Sequence, residues 1–187
     1  MLLKQTIMNK ITRLAIFCGS KKGNNPLYAE HAEALGKIIA DKGIELIYGG
    51  GRNGIMGVAA DTVMQQCGIV RGVIPQVLIE WEHQHQGISE LVVVEDMHVR
   101  KRKMYELCDA AIILPGGFGT LDELFEMLTW NQLSIHDKEI FILNSGGFYN
   151  HLVAHLQHLM NEGFLYGDLK DEIVIINEPS DLLPYLE

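Results

Sequence analysis

The sequence predicts an α/β fold in which a mostly parallel sheet is wrapped by helices on both faces, in a single domain spanning residues 1–187. Three observations carry this. Short apolar runs alternate with longer segments of helical period along nearly the whole chain. The runs are continuous rather than alternating, as in strands covered on both faces. Three of them leave through glycine-rich or polar turns that open directly into helices, CGSKKG after Phe17, GGGRNG after Tyr48 and PGGFGT after Leu114.

The elements follow in order. The opening MLLKQTIMNK lacks the apolar core and cleavage site of a signal peptide, and residues 1–11 are expected to form a loose tail. RLAIF, 13–17, is the first strand. Asn25 before Pro26 is a cap followed by the favoured first helical residue, and Leu27, Ala34, Leu35, Ile38 and Ile39 supply the apolar stripe of a helix that ends at Gly43. A second strand spans 44–48, and its exit leads into a helix through Ala59, Val63 and Met64. A third strand, 69–74, stops at Pro75. The stretch 76–89 has no clean period and is expected to be a loop with one short helix. Strand 91–94, helix 97–107, strand 110–114, a helix with Leu121, Leu124, Phe125 and Leu128 on its apolar face, strand 140–143, helix 148–161, strand 173–176 and helix 180–186 complete the chain.

Composition narrows the function. Apolar residues make up 48% and charged residues 21%, ordinary for a soluble globular protein. A net charge of -9 argues against sequence-independent nucleic-acid binding, which relies on a basic surface. No apolar run reaches membrane-spanning length. Cys18, Cys67 and Cys108 are odd in number and far apart, which fits neither a disulfide framework nor a zinc ribbon and suits a reducing cytoplasm.

In a parallel sheet, ligands sit at the carboxyl ends of the strands, where all three turns would lie. Pro115 cannot extend a central strand, and Gly116, Gly117 and Gly119 let a backbone approach a ligand closely. Free amides of a first helical turn and the positive end of the helix dipole make such a place an anion site. No Lys-Ser or Lys-Thr pair closes it as a P-loop. Thr120 and Glu123 also have the spacing of a capping box, a purely structural role. Against that role, a carboxylate beside a phosphate site is repelled by the ligand it helps to hold, and Gln would cap as well.

Other signals are weaker. Gly49, Gly51 and Gly54 match a dinucleotide fingerprint, but the next strand ends without the acidic residue that holds an adenine ribose; Arg71 could instead accept a 2'-phosphate, which keeps NADP open. Arg100 to Lys103 form a basic run at a helix start, and at about 100° per residue at most two of them can face a cleft, Arg100 first. His83 and His85, and the helical set His151, His155 and His158, lack a completing Cys or carboxylate at ligand spacing, so no metal is expected. Met127 and Trp130 read as core or interface.

With PGGFGTLDE at 115–123, MHVRK at 97–101, GGGRNGIMG at 49–57 and the early CGS turn, the chain resembles the Lonely Guy (LOG) family, the cytokinin riboside 5'-monophosphate phosphoribohydrolases, over about residues 12–180. The resemblance implies a Rossmann-like fold, a homodimer, and hydrolysis of the N-glycosidic bond of AMP or N6-modified nucleoside 5'-monophosphates to free base and ribose 5-phosphate, without a cofactor. It implies catalytic roles for Arg100 and Glu123. It implies nucleotide contacts from Glu82, Arg100, Lys101, the turn from Gly117 through Phe118, Gly119 and Thr120 to Glu123, and Thr129. The position of the three turns at the strand ends adds Gly116, and Gly19, Ser20, Gly50 and Gly51 at the other two exits, as expected ligand contacts. The alternative is a protein of the same fold that binds a phosphorylated ligand without breaking it, such as a molybdenum cofactor carrier.

Overall fold

The computed structural model describes residues 10–79 and 84–186. Seven strands form one sheet: β1 Arg13–Phe17, β2 Glu45–Tyr48, β3 Val70–Pro75, β4 Glu90–Val94, β5 Ala110–Ile113, β6 Glu139–Leu143 and β7 Val174–Ile176. Their order is β4-β3-β2-β1-β5-β6-β7, and every neighbouring pair is parallel. The order reverses between β1 and β5, so the loops leaving these two strands diverge to opposite sides and open a crevice at their carboxyl ends.

Among the described residues six α-helices cover the sheet: α1 Leu27–Asp41, α2 Gly54–Gln65, α3 Met97–Leu107, α4 Phe118–Gln132, α5 Asn150–Asn161 and the short α6 Leu169–Glu172. Strand residues alternate between the two layers. Leu14, Ile16, Leu46 and Tyr48 pack with Leu35 and Ile39 of α1 and Ala59 and Val63 of α2. Ala15, Phe17 and Ile47 face the other way, onto Met104 and Tyr105 of α3, Leu124 and Met127 of α4 and Leu156 of α5. Burying each large aliphatic or aromatic side chain is worth roughly 1.5–3 kcal/mol, which is why continuous apolar strands read correctly as central ones.

Several local expectations are corrected. The chain closes on a 3-10 helix, Pro179–Tyr185, rather than an α-helix, because Pro184 has no amide to donate within it. Gly146 and Gly147, with φ of 57° and 76°, first make a tight turn, so α5 begins at Asn150 instead of Phe148. Asn25 does accept from the Leu27 amide at 3.1 Å, but Pro26 occupies the cap position and α1 starts one residue later. Phe125 is exposed: Leu124, Met127 and Leu128 fill the core, which turns Phe125 outward. Within the stretch 76–89, the described part holds one three-residue 3-10 turn, Gln76–Leu78.

Asp109, just before β5, ties the sheet to the N-terminal segment. Its carboxylate accepts from the Thr12 amide and hydroxyl at 3.0 and 2.7 Å and from the Arg13 amide and guanidinium at 2.9 and 2.8 Å. Burial alone would raise its pKa, but the bonds from Arg13 and Thr12 outweigh burial and hold it at about 2, below the ordinary 3.8. A lowered carboxyl pKa contributes stability that is present above the unfolded value and is lost as pH falls through the folded one. Asp109→Asn should therefore cost about 1–2 kcal/mol at neutral pH. In urea titrations its deficit against the wild type should close as pH is lowered through the range bounded by the ordinary 3.8 and the folded value of about 2; a pH-independent deficit would refute the linkage.

Candidate active site

The three glycine-rich exits meet where the crevice opens. The Gly19 amide donates to the Pro115 carbonyl at 3.0 Å, stitching the β1 exit to the β5 exit, and the Gly19 carbonyl accepts from the Ile55 amide at 3.1 Å, stitching it to the start of α2. Above this seam lies a cavity of about 210 Å³. Gly19, Ser20 and Gly49 line it from one side, Gly117, Phe118, Gly119 and Thr120 from another, and Arg100 and Glu123 reach into it beside Met56 and Met104.

The first turn of α4 leaves its backbone amides open beside the cavity. Gly117 is the cap residue and offers no side-chain acceptor, and the first intrahelical bond runs from the Leu121 amide to the Gly117 carbonyl at 3.1 Å. The amides of Phe118, Gly119 and Thr120 therefore precede the helical ladder and sit at the positive end of its dipole. The glycines here differ in why they are glycine. A Cβ on Gly116 would lie 2.1 Å from Thr120 Oγ1, so the turn itself forbids a side chain. A Cβ on Gly117 or Gly119 would meet nothing within 4 Å and neither residue has a positive φ, so the fold does not require glycine at either place. Their missing side chains keep clear the space in front of the amides.

The capping box is corrected by the same geometry. Thr120 lies inside the first turn rather than at the cap, so Glu123 has no cap to reach back to. It sits in the second turn with 9% of its surface exposed, lining the cavity.

Arg100 comes from α3, whose start is set by Asp96 accepting from the Val99 amide at 2.8 Å. Arg100 is 5% exposed; its Nε donates to the Val73 carbonyl and its Nη2 to the Gly49 carbonyl, both at 3.1 Å. A Cβ on Gly49 would stand 2.0 Å from that Nη2, so a side chain there would have to displace the guanidinium. Lys101 turns the other way and pairs with Glu126 at 2.6 Å and Asp122 at 3.1 Å on α4. The Tyr105 hydroxyl donates to the Glu123 carbonyl and Glu126 Oε2, both at 3.2 Å. Burial first, then the charges of Glu126 and Glu123, push its pKa up, so it stays a donor. Lys101 and Tyr105 thus brace α3 against α4 and fix Arg100 relative to Glu123.

The structure therefore gathers Arg100, Glu123, Gly19, Ser20, Gly117, Phe118, Gly119 and Thr120 around one cavity, with Gly116 beneath its rim. Lys101, Gly50 and Gly51 do not line it. Thr129 lies further along α4, its hydroxyl bonded to the Phe125 carbonyl at 2.7 Å. Glu82 and His83 lie outside the described residues. Arg71 is engaged at the wrong edge for a nucleotide: it pairs with Glu45 at 3.1 Å and Glu90 at 2.9 Å, the first residues of β2 and β4, at the amino ends of the strands. This removes the 2'-phosphate reading. His151, His155 and His158 are exposed on α5, and among the described residues no three His, Cys, Asp or Glu side chains gather as metal ligands.

Ser145, His31 and Glu178 form a Ser-His-carboxylate set, at 2.9 and 3.3 Å, but Ser145 has no exposed surface and no substrate carbonyl can reach it. Sequence reading missed Met56 and Met104 as cavity walls because their helical spacing marks them equally as core. It also missed the Tyr105 brace, for which a tyrosine on a basic helix gives no distinctive signal.

A family model described as "Possible lysine decarboxylase" matches residues 56–186. A probable cytokinin riboside 5'-monophosphate phosphoribohydrolase of Oryza sativa subsp. japonica is 43% identical over 94% of this chain and 78% of its own length. The chain belongs to the Lonely Guy family. A cytokinin riboside 5'-monophosphate phosphoribohydrolase of Rhodococcoides fascians is 40% identical over 88% of this chain and 84% of its own. Among solved structures, the molybdenum cofactor binding protein of Rippkaea orientalis superposes with a TM-score of 0.69 at 22% identity, covering 95% of each chain, a likeness of fold. No helix among the described residues is long and apolar enough to cross a membrane.

The glycine argument yields a direct test. Gly119→Ala should raise stability by roughly 0.5–1 kcal/mol, because glycine inside a helix is entropically costly. The same change should weaken binding of inorganic phosphate about tenfold by crowding the amides. Calorimetric titration and thermal melting of the variant check both, and unchanged phosphate affinity would remove Gly119 from the site.

Proposed function

We propose that this chain hydrolyses the N-glycosidic bond of nucleoside 5'-monophosphates, AMP and its N6-modified cytokinin analogues, releasing free base and ribose 5-phosphate. The observation that carries this reading is that Glu123 and Arg100 face one cavity with the open first turn of α4. The phosphate sits on the amides of Gly117 to Thr120, which holds the sugar at a fixed reach from Glu123. As the bond from C1' to the base nitrogen breaks, its electron pair leaves with the base and positive charge gathers on the sugar ring. A carboxylate at that point stabilises the charge and takes a proton from the attacking water, whose oxygen bonds C1'. The departing base nitrogen gains a proton, and Arg100 holds phosphate or ribose oxygens in place. Water, a carboxylate and a guanidinium suffice for this route, which calls on no metal or redox cofactor.

The family model's description finds no support in the site. Pyridoxal phosphate chemistry needs a lysine for its Schiff base, and no lysine is among the residues lining this cavity. The molybdenum cofactor proteins share the fold alone, and a carrier has no use for a carboxylate aimed at a sugar.

We also infer a homodimer. Phe118 is 94% exposed, and Phe125 and the capping Leu133 are exposed seven and fifteen residues further on, so they share one stripe along α4 that begins at the mouth of the cavity. Thr129 falls on the same stripe, where a second copy would bring it towards a site across the interface. A monomeric mass in solution at micromolar concentration would count against this.

Purified protein incubated with AMP and with isopentenyladenosine monophosphate should release base and ribose 5-phosphate from at least one of them, followed by chromatography. Glu123→Gln should keep the fold and nucleotide binding while kcat falls by roughly 10²–10⁴; near-normal turnover in that variant would sink the assignment. Arg100→Ala should lower both affinity and rate, and unchanged kinetics would take Arg100 out of the site.

A further inference from the structure

His85 is buried, 7% exposed, and lies outside the cavity, yet both ring nitrogens are engaged with a defined polarity. The Gly87 amide donates to Nδ1 at 3.1 Å, so that nitrogen carries no proton. The proton is therefore on Nε2, which donates to Asp61 Oδ1 at 2.9 Å. Asp61 belongs to α2, two turns beyond the glycine-rich exit of β2. The imidazole thus anchors the segment around residues 84–87 to that helix.

What the anchored segment touches gives the pair its meaning. The His85 amide donates to the Gly50 carbonyl at 3.0 Å, and Gln84 forms an isolated antiparallel bridge with Gly51. Gly50 is held in the left-handed region at φ 78°, and a Cβ on Gly72 would come within 2.8 Å of its Cα, so the turn is gripped from both sides. One residue earlier, the Gly49 carbonyl accepts from Arg100 Nη2. We propose that His85, held by Asp61, is a positioning residue: it clamps residues 84–87 onto the Gly49–Gly51 turn, and the turn's Gly49 carbonyl aims the Arg100 guanidinium into the cavity. The bland alternative, a histidine that merely satisfies its own burial, predicts lost stability with no effect on the folded enzyme.

The proposal rests on the phosphoribohydrolase reading for its kinetic arm and stands apart from it for its structural arm. His85→Ala, assayed well below its melting temperature, should lower kcat for AMP roughly 10- to 100-fold, the usual effect of a misplaced catalytic group. Affinity for inorganic phosphate should fall far less than kcat, since the amides of the first turn of α4 keep their place when only the Arg100 contact is disturbed. His85→Gln, whose amide nitrogen can still donate to Asp61, should recover kcat to within about threefold of wild type. Backbone amides of residues 49–53 should exchange hydrogen for deuterium faster in His85→Ala than in wild type, and those of α4 at the same rate. Wild-type kcat in folded His85→Ala overturns the proposal. If the wild-type protein releases no base, the functional reading fails, and exchange alone judges the clamp: unchanged exchange at residues 49–53 overturns it. Should His85→Ala not fold, Asp61→Ala removes the same anchor from the helix surface and is read by the same two measurements.

Discussion

The hydrogen bond from the Gly19 amide to the Pro115 carbonyl is the constraint on which the rest of the site depends. It spans the point where the strand order reverses, between β1 and β5, where a parallel sheet would otherwise splay open. By holding the two exits together it lets one ligand touch both, and through the Gly19 carbonyl and the Ile55 amide it draws the β2 exit into the same seam. Side chains at the seam itself would crowd it: a Cβ on Gly19 would lie 3.3 Å from the Gly116 Cα, tighter than ordinary contact, and one on Gly54 would lie 2.3 Å from the Ser20 backbone.

Two candidate chemical groups then converge from different helices. Arg100 is fixed by a carbonyl within β3 and one at the exit of β2, whereas Glu123 is carried by the helix whose first-turn amides face the cavity. A buried guanidinium bonded to carbonyls keeps its charge close to a ligand without being neutralised by them, which suits a group that must stabilise charge in the reaction. In the proposed reaction, phosphate, sugar and carboxylate would share a frame built from one helix, so their mutual distances would depend little on motions of the rest of the sheet.

The fold was legible in the sequence because continuous apolar strands and glycine-rich exits have few other readings. Its edges were less so. The turn at Gly146 and Gly147 and the 3-10 closure at Pro184 depend on backbone geometry that periodicity does not encode. At the site, Arg100 and Glu123 could be named because helix starts constrain what a cation or a carboxylate is doing there. Sequence put Arg100 first in the basic run but kept Lys101 as a second contact, since whether an adjacent helical residue also faces a cleft is decided by the partners across it, here Glu126 and Asp122. The spacing of Thr120 and Glu123 suggested a cap, but the three residues that follow Pro115 let the helix begin earlier, at Phe118. His85 was weighed as a metal ligand, because a histidine's hydrogen-bonding role becomes visible only when its neighbours in space are known.

The brace between α3 and α4 has one further consequence, for how the enzyme responds to acid and base. Its two donors are Lys101 and Tyr105. Burial would lower the Lys101 pKa, but the bonds to Glu126 and Asp122 outweigh it and leave the value above the ordinary 10.5. Tyr105 is pushed above its ordinary 10.0 by burial and by the same acidic neighbours. Neither donor gives up its proton near neutrality, so the frame that sets Arg100 against Glu123 keeps its donors there. A rate that changes between mildly acidic and mildly basic solution would then not trace to loss of either donor of this brace.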